Sequence, residues 1–225
     1  LKSLRILALE ENQFKIFPPA LEGLTQLLML DLSGNYIDSI PPWIQNMHSL
    51  TNFQVWNNQL VKFPKESVKL ANLKVLVAGN NKVVSLHANM DSLNELEELV
   101  LYWNQLTTIH QKLGKRKKLR KLELRRNPDL DTGNGLTVLK KANKQIIITS
   151  SEAHIDDTNE LLINVDLEQV LVPLLSLDTA QTWKFEIDLS KKNLDSIPAY
   201  VFTHRNLISL NLADNNSTTL IEEIL

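Results

Sequence analysis

The chain has 225 residues, 43% of them hydrophobic, which is enough for one large core or an extended array of repeats and too apolar for a disordered tail. Its 24 lysines and arginines nearly cancel its 26 aspartates and glutamates, so overall charge gives no reason to expect nucleic acid or an acidic membrane surface as the partner. There is no cysteine, which removes disulfides, thiolate metal sites and cysteine nucleophiles and fits a reducing compartment, and no apolar run approaches the roughly 20 residues of a membrane-spanning helix.

From the first residues the chain reads like the interior of something: LKSLRILAL carries neither the basic start nor the small-residue cleavage site of a signal peptide. Asn12, Asn35, Asn58, Asn81, Asn104 and Asn127 follow at a constant spacing of 23, each closing the pattern LxxLxLxxN. The copies run Leu4, Leu7, Leu9; Leu27, Leu30, Leu32; Leu50, Phe53, Val55; Leu73, Leu76, Ala78; Leu96, Leu99, Leu101; and Leu119, Leu122, Leu124. The alternating apolar residues predict a short strand with one face buried, stacked in parallel on the same strand of the next unit. The asparagine can satisfy backbone groups where the chain leaves the strand; left unmade, such buried hydrogen bonds cost roughly 1–3 kcal/mol each. A second apolar pair follows, such as Ile37 and Ile40 or Leu60 and Phe63, and then proline at 18, 41 or 64, in a return segment where no ladder bond is lost.

These motifs resemble the leucine-rich repeat superfamily, in its intracellular type of about 23 residues with an Ile-Pro or Phe-Pro step, as in Ras-pathway scaffolds and Roco proteins. The resemblance covers most of the chain. It implies an α/β solenoid with a parallel concave sheet, about eight repeats, capped at both ends and used as a binding platform, and it does not name the partner.

After Asn127 the pattern breaks at Pro128, Asp129 and Leu130. Leu136, Leu139 and Ala142 are spaced as on a short amphipathic helix, and IIIT at 146–149 predicts a buried strand; together they look like a C-terminal cap. Residues 150–159 read as a polar linker. Leu161, Leu162, Val165, Val170, Leu171, Leu174 and Leu175, with a kink near Pro173, suggest an N-terminal-type cap helix. Repeats restart at Ile187 and Leu189, where Lys192 holds the asparagine position, and a better copy follows at Leu207, Leu210, Leu212 and Asn215.

This gives two segments, 1–157 with six repeats and a C-terminal cap, and 158–225 with a cap helix and two repeats. The phrase LDLSGNYIDSIP at 30–41 returns as IDLSKKNLDSIP at 187–198, 157 residues on, which is no multiple of 23. Counted the other way, from 187 past 225, across one extra residue and on from 1 to 30, the distance is 69, three periods. The expectation is that 158–225 stacks before residue 1, with strand 207–212 parallel to strand 4–9 and Leu225 within about 7.5 Å of Leu1. Three arrangements satisfy it: a natural order of the segments different from this one with a residue lost, a circular permutation, or a join between molecules.

Residues between the buried positions point to the concave face. Early rows are acidic, with Glu10 and Glu11; the middle is apolar and aromatic, with Trp56, Val75, Val77, Val100, Tyr102 and Trp103; the last is basic, with Arg125 and Arg126. An exposed apolar patch of this kind marks an interaction site, and tryptophan, tyrosine and arginine dominate binding hot spots. The basic run Lys115, Arg116, Lys117 and Lys118 lies in a return segment; it reads as a solvated edge, or as a nuclear-localisation patch, and no interleaved aromatic supports base stacking. The motifs of nucleophilic, phosphate-binding or zinc catalysis are missing, the five histidines are scattered, and no metal or cofactor is implied. Asn215 and Asn216 each begin a glycosylation sequon and are read as unmodified. The functional expectation is a non-enzymatic, cytoplasmic module that binds a protein partner on its concave face. The alternative is an array that regulates or localises the catalytic domain of a larger signalling enzyme, as the resemblance permits.

Overall fold

A computed structural model describes residues 1–131, 134–150, 185–204 and 206–220. The linker, the apolar stretch before Ile187 and Leu225 lie almost wholly outside the described residues.

Each of the six LxxLxLxxN units up to Asn127 forms one three-residue strand and turns away at its asparagine. The strands are β1 (Ile6–Ala8), β2 (Met29–Asp31), β3 (Asn52–Gln54), β4 (Val75–Val77), β5 (Glu98–Val100) and β6 (Lys121–Glu123). Helix α1 (Asn134–Ala142) and strand β7 (Ile147–Thr149) follow, and then β8 (Phe185–Asp188) and β9 (Leu207–Asn211). All nine join one parallel sheet in the order β7-β6-β5-β4-β3-β2-β1-β9-β8. The first strand of the chain is therefore internal. It pairs with β2 on one side and β9 on the other, with Leu7 opposite Leu30 and Leu210, the register that the 23-residue period predicts across the junction.

The repeats pack into one core. Leu7, Leu30, Leu76, Leu99, Leu122 and Leu210 are buried along it, and the second apolar pairs Ile37, Ile40 and Leu60, Phe63 close it from the return side. Proline starts the short 3-10 turns of that side: Pro18, Pro41, Pro64 and Pro198 each precede one, in extended conformation. Pro cannot donate to a ladder and its fixed φ suits the entry to a turn, so its cost there is small.

The asparagines are the spine of the stack. Asn35 Nδ2 donates to Leu32 O (3.0 Å) and Ser33 O (3.1 Å) of its own repeat and to Leu9 O (3.0 Å) of the one before, while its Oδ1 accepts the Phe14 N–H (3.0 Å). Asn58, Asn81, Asn104 and Asn127 repeat the same contacts. Lys192 lacks such an amide, and its own N–H donates instead to Asn215 Oδ1 at 3.1 Å. Past Asn127 the role passes to Asn143, whose Nδ2 reaches Leu119 O at 2.8 Å and Arg116 O at 2.9 Å.

Past Asn127 the chain forms α1 and β7 in place of a further repeat. Leu136, Leu139 and Ile146 are buried and Ile148 packs against the core, but Ile147 is 67% exposed, so the strand expected to be buried is buried on one face only. It pairs on one side alone, with β6, and Ile147 faces the concave side opposite Lys121 with no following described strand to cover it. Ala142, placed on the apolar side of the helix by its spacing, is exposed.

Candidate interaction face

The concave face is built of columns, because equivalent residues recur every 23 positions and parallel pairing sets them side by side. One column runs Glu10, Ser33, Trp56, Gly79, Tyr102, Arg125, and the next Glu11, Gly34, Asn57, Asn80, Trp103, Arg126.

In the second column every residue from Glu11 to Arg126 has a positive φ, between 49° and 63°, and so do Lys191 and Asp214. This is the turn by which each strand gives way to its asparagine. Glycine and asparagine suit it; other L-residues are disfavoured there by about 1–2 kcal/mol. Gly34, Asn57 and Asn80 fit the backbone, and Asn80 Nδ2 donates to Asn57 Oδ1 at 2.8 Å. Trp103 and Arg126 do not fit it, and they sit together: the guanidinium lies 5.9 Å from the centre of the indole, within cation–π range. Trp103 is 46% exposed.

Tyr102 lies down over Gly79. A β-carbon added at Gly79 would meet the tyrosine ring at 2.5 Å, so only glycine leaves the ring this bed. Burial pushes the Tyr102 hydroxyl above its ordinary pKa, and the hydroxyl faces the Trp56 side chain. The Trp56 indole nitrogen is buried beside it without closing a hydrogen bond of standard geometry. The Tyr102 and Trp103 rings are 5.9 Å apart at 43°. Trp56, Tyr102 and Trp103 thus span three rows.

Val77 and Val100 do not belong to the exposed patch. They are 2% and 0% exposed, against the expectation that they would face solvent, and Val75 is half-buried. Val77, Val100 and Glu123 lie in register on adjacent strands, in the middle column of the sheet. The assembled face closes over these positions, and Glu123 in the same column is buried as well. Alternation along a strand says which way a side chain points, and its neighbours decide whether water reaches it.

The basic end is also less free than its composition implies. Arg125 is half-buried and forks onto Glu123, Nε to Oε1 at 2.7 Å and Nη2 to Oε2 at 2.9 Å. Arg126 remains exposed.

At the acidic end the Glu11 carboxylate lies over Gly34, where an added β-carbon would meet its Oε1 at 2.1 Å. Glu10 is the more perturbed: burial first, then the charges of Asp31, Asp214 and Glu11, push its pKa up from 4.5 to about 7. Its Oε2 is buried without a hydrogen-bond partner. Burial also raises Glu11 and Asp31, although the Ser33 N–H donates to Asp31 Oδ1 at 2.8 Å.

The run 115–118 and its neighbour Arg120 are answered in part by the preceding repeat. Lys118 Nζ pairs with Glu95 at 2.6 Å, Arg120 with Glu97, and Arg116 donates to Asn94, each offset by about one period. This leaves a mixed-charge groove with Lys74, Lys117 and Gln145 at its walls, where the sequence alone shows a basic run. Exposed pairs of this kind contribute about 0–1 kcal/mol, so Lys118→Ala is expected to shift stability by less than about 1 kcal/mol in urea unfolding; a larger loss would make the pairs structural. His87 and His110 have local work: the Nδ1 of each accepts the amide two residues on, from Asn89 at 3.2 Å and Lys112 at 3.3 Å. Among the described residues no group of three or more His, Cys, Asp or Glu side chains could hold a metal ion, and no helix is long and apolar enough to cross a membrane.

A family model described as a leucine-rich repeat region matches residues 1–216. The chain belongs to the leucine-rich repeat family. A comparison with curated proteins finds no match. Among solved structures this leucine-rich repeat chain is similar to a leucine-rich repeat protein of Leptospira interrogans, at 28% identity and a TM-score of 0.53, over 66% of this chain and 43% of that one. It is also similar in fold to two internalins of Listeria monocytogenes. One, inlF, is 21% identical with a TM-score of 0.54, over 69% of this chain and 49% of that one. The other, internalin C2, is 23% identical with a TM-score of 0.51, over 67% and 73%. The chain spans less than half the length of the Leptospira protein and of inlF.

Proposed function

We propose that this chain is a non-enzymatic protein-binding module that holds its partner on the concave face. Trp56, Tyr102 and Trp103 make the central contact with Val75 beside them, and Val77 and Val100 form the floor. Arg125 and Arg126 face one end of the partner, Glu10 and Glu11 the other. The absence of cysteine fits a reducing, cytoplasmic setting. Lys118 of the run 115–118 is paired with Glu95, and Arg120 just beyond the run with Glu97, which lowers the net positive charge of this edge and weakens the case for a nuclear or nucleic-acid role.

The observation that carries this reading is Trp103. A large aromatic residue is held in a left-handed conformation that costs stability, half in water, with Arg126 in the same conformation beside it. The left-handed turn recurs in every repeat, but a bulky aromatic there costs stability that glycine or asparagine would not, and this choice of residue points to a use elsewhere. Its neighbours Asn57 and Asn80 show that the turn needs no tryptophan.

The test separates binding from folding. Aromatic anchors contribute about 2 kcal/mol or more to an interface, so Trp103→Ala is expected to weaken capture of partner from cell extract at least tenfold (about 1.4 kcal/mol). Trp103→Gly should do the same while leaving stability unchanged or raising it by up to about 1 kcal/mol, since glycine accepts the positive φ. Undiminished capture by both variants would move the site off this face.

A further inference from the structure

The charges of the concave face are not equally available to a partner, and those left free set the charge the partner must carry. At the basic end Arg125 forks onto Glu123, and Lys121 Nζ lies 3.6 Å from Glu98 Oε2, so each already faces a carboxylate. Arg126 is exposed and pairs with no carboxylate among the described residues. Its guanidinium lies 5.9 Å from the centre of the Trp103 ring, and both residues are held in the left-handed turn, at φ 58° and 51°. Contact with a ring face leaves the N–H groups at the edge of a guanidinium able to donate. Arg126 is therefore a positioned donor, facing water, with an aromatic wall beside it.

We propose that this corner of the face, Arg126 against Trp103, takes an Asp or Glu side chain of a partner segment that runs across it in contact with Trp103 and Ile147. The proposal rests on the concave face being the binding face. The charge at the corner is a single cation, because Arg125 and Lys121 are answered by Glu123 and Glu98, and one guanidinium matches one carboxylate through two parallel hydrogen bonds. Exposed apolar surface lies on both sides of the Arg126 row: Trp103 in the row before is 46% exposed and Ile147 in the row after is 67% exposed. A segment laid over both passes the guanidinium, so the acid it offers is a side chain and not a chain end. The opposite end of the face fixes its direction. Glu10, Glu11, Asp31 and Asp214 gather there, and among the described residues the ion pair they make is with Lys191, whose Nζ is 4.0 Å from Asp214 Oδ2. From the Glu11 row on β1 to the Arg126 row on β6 there are five strand spacings, about 24 Å at about 4.8 Å each. A partner carboxylate placed at that end meets like charge, which suppresses the reversed register and sends the acidic residue to Arg126.

The test uses the full chain and, as probe, a library of random peptides of about 12 residues, about 40 Å when extended and so long enough to cross the face. Peptides retained by the wild-type chain and lost on Trp103→Ala define the concave-face binders. They are expected to carry Asp or Glu beside an apolar residue more often than the library does, and selection on Arg126→Glu should put Lys or Arg in place of that acid. For one such peptide, replacing the acidic residue by its amide should weaken binding to the wild-type chain at least tenfold and binding to Arg126→Gln less than about twofold, since the two groups meet. The change is made in the peptide, so this result does not depend on how well a variant folds. Concave-face binders without acidic enrichment, or an equal loss on both proteins, overturn the carboxylate at Arg126 and leave the concave face as the binding face. Retention undiminished by Trp103→Ala, or no retained peptide, overturns the concave-face reading and this inference with it.

Discussion

Asn12→Ala is expected to cost about 4 kcal/mol of stability. The side chain makes four hydrogen bonds, Nδ2 to Leu9 O at 3.2 Å, Glu10 O at 3.1 Å and Leu212 O at 3.0 Å, and Oδ1 from the Ser217 N–H at 3.0 Å. Alanine fills none of these roles and leaves buried backbone groups unpaired, at about 1 kcal/mol or more each. Asn58→Ala removes an equivalent set, Nδ2 to Leu32 O, Val55 O and Trp56 O with Oδ1 accepting the Ile37 N–H, between repeats joined by the chain. The two variants should lose comparable stability in urea unfolding. A loss below about 1 kcal/mol at Asn12 would show that water replaces the amide and that the ladder is not what joins β9 to β1.

Glu10 makes stability depend on pH in an unusual direction for a carboxylate. Its pKa is about 7 in the folded chain against an ordinary 4.5, so between these values the folded state holds the proton more tightly than the unfolded state does. The contribution is fully present below pH 4.5, declines as pH rises, and is gone above about 7. A displacement of that size corresponds to about 3 kcal/mol at about 1.4 kcal/mol per unit. Asp31 and Glu11 are raised as well and act with the same sign. Glu10→Gln, which keeps the shape and removes the charge, should therefore stabilise the chain by up to about 3 kcal/mol at pH 8 and by little at pH 4.5. Thermal unfolding of both proteins across that range is the measurement; parallel profiles would place Glu10 in water.

Much of the fold was legible before any coordinates. A unit of 23 residues that buries its apolar face on a like neighbour needs those neighbours in phase, so the spacing of asparagines predicts the sheet and its register. The same arithmetic, run past residue 225 to residue 1, places strand 207–212 beside strand 4–9, and β9 pairs with β1 in that register. The pattern says which way each residue faces because alternation is a property of a single strand. The chemistry of the face is decided elsewhere. Val77 and Val100 point outward and are covered; Tyr102 lies flat because row 79 carries glycine; Arg125 is spent on Glu123; and Glu10 is held near neutrality by burial among other carboxylates. Periodicity is set by contacts between equivalent residues, one repeat to the next. Exposure and charge depend on which unlike side chains share a row and how they lean across it, and that only the assembled sheet decides.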